Sequence, residues 1–258
     1  MVSLSSSGPS IARPGADLIA HVGASARPAL IQYHQDGSRT ELSGRVLVNW
    51  AAKTANLLEH HGIDTAGLAV LDLPVHWLTL AASLGISWDF DEIRCFGDGD
   101  DAVQDAALIV TTAPERWAEH AGELIVVTSL TGASGSSGAQ LPSHAIDFDD
   151  EVASQADQHV GIAPDLITGT EGASLRLAAA SPASAWAFEG GLILAERGTH
   201  LTEDLLAAVH EQWSRRCPVI MVEVTDAAED TGGAGSETLA PERVEHLREV
   251  ERLGGSAS

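Results

Sequence analysis

Two carboxylate clusters, Asp98-Gly-Asp-Asp101 and Asp147-Phe-Asp-Asp-Glu151, gather hard oxygen donors of the kind that take Mg²⁺ or Ca²⁺. Neither belongs to a twelve-residue calcium loop closed by a glutamate, so a solvated acidic turn is the simpler reading of each. The histidines point to other work. His60 and His61 close a helical stretch, where imidazolium favours the carbonyl end of the dipole, and that role is preferred to metal ligation. His200 and His210 flank a helix with Glu203 and Asp204 in its first turn, and their separation sends them to different parts of the surface. No metal site is expected.

Nucleophile and phosphate chemistry find little footing in the pattern itself. Thr131-Gly-Ala-Ser-Gly-Ser-Ser-Gly138 has the glycines of a phosphate loop but lacks the Gly-Lys-Ser/Thr ending, so it reads as a flexible linker, with Ser136 and Ser137 as linker residues. No Gly-x-Ser-x-Gly elbow occurs to anchor a hydrolase triad. Cys95 and Cys217 stand alone in strand-like sequence, which implies reduced, buried thiols.

The elements that must position any site begin with a hairpin. Alternating apolar residues over 27–33 make a strand, His34-Gln-Asp-Gly-Ser38 a turn, and 39–43 the return strand. Residues 44–61 make an amphipathic helix with Val46, Leu47, Trp50, Ala51, Thr54, Leu57 and Leu58 on one face, ended by Gly62. The nearly continuous apolar run 67–73 is a strand covered on both faces, and 75–84 a second helix behind Pro74. Near the end, a strand at 219–224 and a helix at 241–253 bracket the Gly- and acid-rich stretch 227–237. That last helix carries Val244, Leu247 and Val250, an apolar stripe narrow enough to dock or to fray.

Taken together, these words resemble a known family. The stretch from Pro28 to Gly85 resembles the N-terminal region of the AMP-binding enzymes, the acyl-CoA synthetase and adenylation-domain superfamily. Its Asn49-Trp-Ala-Ala-Lys-Thr-Ala-Asn-Leu-Leu58 and Leu73-Pro-Val-His-Trp77 are similar to motifs of a family of short, actinobacterial-type proteins related to those enzymes. The likeness extends through a strand at 105–112, the acidic segment 145–159, a strand at 190–197 and a helix at 202–213, and covers about residues 10–225.

The resemblance implies three requirements for adenylate chemistry. The first is a Ser/Thr/Gly-rich loop ending in Pro-Lys-Gly that cradles the ATP phosphates. At its place stands Pro164-Asp-Leu-Ile-Thr-Gly-Thr-Glu-Gly-Ala-Ser174, so Thr168, Gly169, Thr170, Gly172 and Ser174 form a degenerate phosphate loop. The Pro-Lys is absent, and Glu171 puts negative charge where phosphate would sit. The second is a set of later adenine- and ribose-binding segments, which this sequence ends too soon to carry. The third is a catalytic lysine in a mobile C-terminal domain, whereas the one lysine here is Lys53, inside the first amphipathic helix. No catalytic residue is assigned. The same resemblance sets the first helix against the start of the second, bringing Trp50, His76 and Trp77 together. Core packing is their simplest role, although Asn49, Lys53 and Asn56 add the polar groups a ligand pocket would want.

Composition bounds the rest. A chain of 258 residues, 44% hydrophobic, can bury one large core or two small lobes. Its net charge of −23 argues against nucleic acid and anionic membranes, and fits a protein kept soluble at high ionic strength. Met1-Val-Ser-Leu-Ser-Ser-Ser-Gly-Pro-Ser10 lacks a basic, then apolar, leader, and no apolar run is long enough to span a bilayer, so a cytoplasmic protein is expected.

The expected fold is α/β: a mixed, largely parallel sheet with flanking helices, like the N-terminal half of the adenylate-forming enzyme large domain. Residues 1–225 would form it, with a flexible linker near 131–143, and 226–258 would be an acidic, Gly-rich linker with the terminal helix. The functional expectation is a non-catalytic binding or regulatory module acting on an unidentified protein partner or small molecule. The alternatives are a divergent or split enzyme still binding AMP or ATP, and an assembly protein with no nucleotide affinity.

Overall fold

The computed structural model of the chain describes residues 14–90, 92–96, 103, 105–130, 141–160, 185–196, 200–224 and 239–254. Local signals set its first elements. Pro28–Tyr33 (β1) and Arg39–Ser43 (β2) pair antiparallel, with Leu30 opposite Leu42. The chain reverses through Gly37, at φ 83°, where the Ser38 amide donates to Asp36 Oδ1 at 2.8 Å. Ser43 then starts the helix Gly44–His60 (α2), its hydroxyl accepting from the Val46 amide at 3.3 Å. Gly62, at φ 65°, ends that helix in the expected left-handed conformation.

The buried stripe of α2 runs through Leu47, Ala51, Ala52, Ala55, Leu57 and Leu58. Val46, expected on that face, is exposed, because the alanines at 52 and 55 turn the stripe away from it. A helix not anticipated from the sequence, Pro14–Gly23 (α1), lays Leu18, Ile19 and Val22 against it. The approach is tight, since a Cβ on Gly44 would overlap the Val22 carbonyl oxygen.

The parallel strands divide between two sheets, where one was expected. Leu68–Asp72 (β3), Glu92–Cys95 (β4), Leu108–Thr111 (β5), Glu123–Val126 (β6) and Ala145–Asp147 (β7) form an all-parallel sheet in the order β4-β3-β5-β6-β7. Trp77–Ile86 (α3) carries the chain from β3 to β4, and it is buried from Leu78 through Ile86. Ala185–Phe188 (β8), Gly191–Ala195 (β9) and Val219–Val222 (β10) complete the other sheet, ordered β2-β1-β10-β9-β8. There β1, β10 and β9 run parallel, and the two outer pairs are antiparallel hairpins.

Between the sheets lies a layer of helices. Side chains of α1, α2, α3 and of Glu203–Ser214 (α5) share one core with Leu30, Leu192, Leu194 and Met221 of the mixed sheet and Leu71, Leu108, Val110 and Ile125 of the parallel one. The short helix Phe148–Val152 (α4) follows β7 and adds Phe148 and Val152 to that core. On the far side of the mixed sheet the terminal helix Pro241–Val250 (α6) docks Val244 and Leu247 on Ile193 and Ile220. Val250, the third member of its stripe, is exposed.

Candidate functional site

The order of the parallel sheet selects a place to look. The chain leaves β3 for β4 on one side and resumes at β5 on the other, so β3 and β5 flank the reversal where open α/β sheets form a crevice beyond their carboxyl ends. Asp72 is the last residue of β3 and Thr111 the last of β5. Asp72 is 2% exposed and saturated with donors. Its Oδ2 accepts from Thr111 Oγ1 at 2.9 Å and from Trp117 Nε1 at 2.8 Å, and its Oδ1 from Arg116 Nη1 at 2.7 Å.

The remaining partner crosses from the segment before α5. His200 Nε2 lies 3.0 Å from Asp72 Oδ1, and its Nδ1 lies 2.6 Å from the Leu73 carbonyl oxygen. Both neighbours are acceptors, so each ring nitrogen is turned to protein rather than to water. The Leu201 amide also donates to Leu73 O, at 3.0 Å. Asp72 is thereby the fastening between the parallel sheet and the chain entering α5. Arg116 and His200 keep nearly half of their side-chain surface in water, and the Arg116 guanidinium lies 5.0 Å over the Phe96 ring.

The carboxyl ends of the mixed sheet converge on the same region and meet it at His76. This residue precedes α3, and its Nδ1 accepts from the Leu78 amide at 3.2 Å. That bond fixes the tautomer, leaving the Nε2 proton directed at Glu196 Oε1, 3.4 Å away. Burial lowers the imidazole to about 4, against the opposing pull of Glu223 and Asp149.

Glu196, just past β9, is 8% exposed, and burial holds its carboxyl up at about 7. Gln32 opposes this with amide bonds of 3.1 and 2.8 Å to the two oxygens, while Glu223 reinforces it. Burial also pushes Glu223 up, but there the His34 ring at 2.8 Å and the Gln35 amide at 3.0 Å prevail and hold it below the ordinary carboxylate value. A neutral imidazole beside a carboxyl that titrates near neutrality is a proton-holding pair.

Of the residues singled out for a pocket, three come together as expected. Trp50 and Trp77 meet edge to face at 5.4 Å, and the His76 ring is 5.6 Å from Trp77. Asn49 is half-buried on the same helix as Trp50. Lys53 and Asn56 serve the chain after α4 instead. The Lys53 ammonium donates to the carbonyls of Ala153 and Gln155 and pairs with Asp157 at 3.0 Å. Asn56 donates to the carbonyls of Ala156 and Gln158 at 2.9 Å each and meets His159 through its oxygen.

Other expectations need correction or fall elsewhere. Thr168, Gly169, Thr170, Gly172 and Ser174 lie outside the described residues, as do 97–102 and the loop 131–140. Asp147 and Asp149 are no solvated turn. Asp147 caps α4, and Asp149 accepts from Thr128 Oγ1, the Ser129 amide and Ser129 Oγ at 2.7 to 2.9 Å. His210 is buried against Trp213 rather than on the surface, and burial lowers its ring to about 4. Cys95 is buried, which drives its thiol up to about 12, and Cys217 is half-buried; both are free. Asp72, Gln32, Glu196, Glu223 and His200 were missed as site residues. The available signal was a polar residue closing an apolar strand, at Asp72 after Leu68-Ala-Val-Leu and at Glu196 after Leu192-Ile-Leu-Ala.

Two five-stranded sheets around a shared helical layer define an α/β fold of the adenylate-forming enzyme type. An acyl-CoA synthetase of Brucella canis superposes with a TM-score of 0.56 at 20% identity, over 87% of this chain and 43% of that one. MatB of Rhodopseudomonas palustris gives 0.56 in its apo form at 14% identity and 0.55 in its ATP-bound form at 15%, over 92% and 91% of this chain and 48% of each. At such identities the likeness is one of fold. No protein-family model matches the chain.

A curated relative in Mycobacterium tuberculosis, described as a TIGR03089 family protein, is 41% identical over 81 residues, 30% of this chain and 32% of that protein. Part of the chain thus resembles that mycobacterial protein, and the chain as a whole shares the fold of acyl-CoA synthetases over less than half of their length. Among the described residues no helix is long and apolar enough to cross a membrane.

Proposed function

We propose that this chain is a cytoplasmic, non-catalytic binding or regulatory module on the scaffold of an adenylate-forming enzyme, acting on a small molecule or a protein partner. One observation carries the reading. The only lysine of the sequence, Lys53, is committed to the carbonyls of Ala153 and Gln155 and to Asp157, while Asp149, Glu196 and Glu223 gather around His76. Carboxylates there oppose a triphosphate, and the one lysine is committed elsewhere. The division proposed with this reading is an adenylation-enzyme-like unit over 1–225 and a tail over 226–258, whose α6 packs Val244 and Leu247 back on the mixed sheet of that unit. ATP–pyrophosphate exchange with a panel of carboxylic acids tests the reading. No exchange above a protein-free blank is expected, and acid-dependent exchange would refute it.

A second reading is a divergent or split enzyme that still holds AMP or ATP on Thr168, Gly169, Thr170, Gly172 and Ser174. The half-exposed Arg116 guanidinium at the sheet reversal favours it, since it keeps donors open to water beside its bond to Asp72. It requires nucleotide binding that Gly169→Val weakens without unfolding the protein.

A further inference from the structure

We propose that His60, His61 and Glu151 form a site for one divalent transition-metal ion of the zinc type, separate from the convergence of the sheets. The end of α2 supplies the two imidazoles and α4 the carboxylate. One donor atom from each residue lies within 4.8 Å of the other two. His61 Nε2 is already 2.7 Å from Glu151 Oε2, and the His60 and His61 rings meet edge to face with centroids 5.2 Å apart. The sequence shows only the adjacent histidines, which a helix dipole explains well enough. The third donor arrives through the fold.

The donor set selects the ion. Two imidazole nitrogens and one carboxylate oxygen suit zinc and its first-row neighbours, with water completing the shell, whereas Mg²⁺ and Ca²⁺ prefer oxygen alone. Tetrahedral bonds of about 2.1 Å separate donor atoms by about 3.4 Å. The 2.7 Å pair must therefore open slightly, and any pair near the 4.8 Å limit must close. Exposed His60 and His61 and half-exposed Glu151 have the rotameric freedom to do so.

Their backbones, by contrast, are held. Asp147 caps α4 with bonds to the amides of Asp149 and Asp150, Asp149 ties it to Thr128 and Ser129, and Lys53 fastens the chain beyond it to α2. Electrostatics favour a cation here, at the carbonyl end of α2 and on a chain of net charge −23. On binding, the ion takes the lone pairs of both rings and of the carboxylate. A proton on the ring nitrogen that takes the ion moves through solvent to the other ring nitrogen, so each imidazole stays neutral and no other reactant is needed. The bound ion staples α2 to α4.

Chelator-treated full-length protein, titrated with Zn²⁺ by calorimetry and with Co²⁺ by visible absorption, tests the site. The expected result is one ion per chain, the d–d bands of four-coordinate cobalt, and a higher unfolding temperature with Zn²⁺. Losing a ligand should cost at least what losing a second-shell partner does, so His60→Ala and Glu151→Gln should each weaken binding at least about ten-fold. His246→Ala, on α6, should leave it unchanged. Circular dichroism of the metal-free variants confirms their folding, as expected for substitutions at the surface. Absence of saturable binding, or an affinity in folded Glu151→Gln or His60→Ala equal to that of the parent, would overturn the proposal.

Discussion

Replacing Glu196 with glutamine should stabilise the protein increasingly as pH rises. Burial holds the folded carboxyl at about 7 against 4.5 for the free group, so between those values the folded state keeps a proton that the unfolded chain has lost. Stability from this residue is fully present below the unfolded value and declines as pH rises through the folded one. The whole span corresponds to about 3 kcal/mol. Because the isoelectric point is near 4.6, solubility restricts the comparison to higher pH. Integrating the same two values from about pH 5.5 to about pH 8 leaves about 2 kcal/mol. Glutamine copies the shape of the protonated acid, still offers an oxygen to Gln32, and cannot ionise. Urea unfolding of parent and Glu196→Gln at the two pH values gives the test. The variant should gain about 2 kcal/mol relative to the parent on going to the higher pH. A difference independent of pH, or one that turns against the variant at high pH, would show that Glu196 is an ordinary carboxylate stabilised by Gln32, and the reasoning would fail.

His76→Asn, which keeps an acceptor for the Leu78 amide, should show the opposite slope. The parent ring is lowered to about 4 from 6.5, so its stability is lost as pH falls through the unfolded value, and the variant should gain about 1 kcal/mol on the parent between about pH 8 and about pH 5.5 in the same assay. Asp72→Ala removes the acceptor of four donors, two of them from buried Thr111 and Trp117, and should cost about 3 kcal/mol in urea unfolding. Gly85→Ala should cost at least about 2 kcal/mol, because the added Cβ overlaps the Ala51 carbonyl oxygen where α3 crosses α2; an unchanged melting temperature would contradict that close approach.

Local physics made the stretch from β1 to the end of α2 legible. The hairpin turn at Gly37, the cap at Ser43 and the stop at Gly62 are each set by one residue and its immediate neighbours. The partition into two sheets is not local, because β1 takes its parallel partner, β10, from the other end of the chain, with Leu30 opposite Val219. Four-residue strands such as Glu123–Val126 are too short for periodicity to declare. The family resemblance, rather than patterning, brought Trp50, His76 and Trp77 together by setting the first helix against the start of the next. It misjudged Lys53 and Asn56, whose partners lie about 100 positions away. Asp72, Glu196 and Glu223 escaped for a related reason: each stands alone in sequence, and its partners, His200 for Asp72 and Gln32 for both glutamates, lie far along the chain.

Calorimetric titration of the full chain with AMP and with ATP, each with and without Mg²⁺, bears most directly on the non-catalytic reading. No heat of binding in any of the four titrations is the predicted result, given the acidic convergence of the sheets and the commitment of Lys53. Saturable binding at micromolar or tighter affinity, lost in Gly169→Val, would contradict it and establish a nucleotide site.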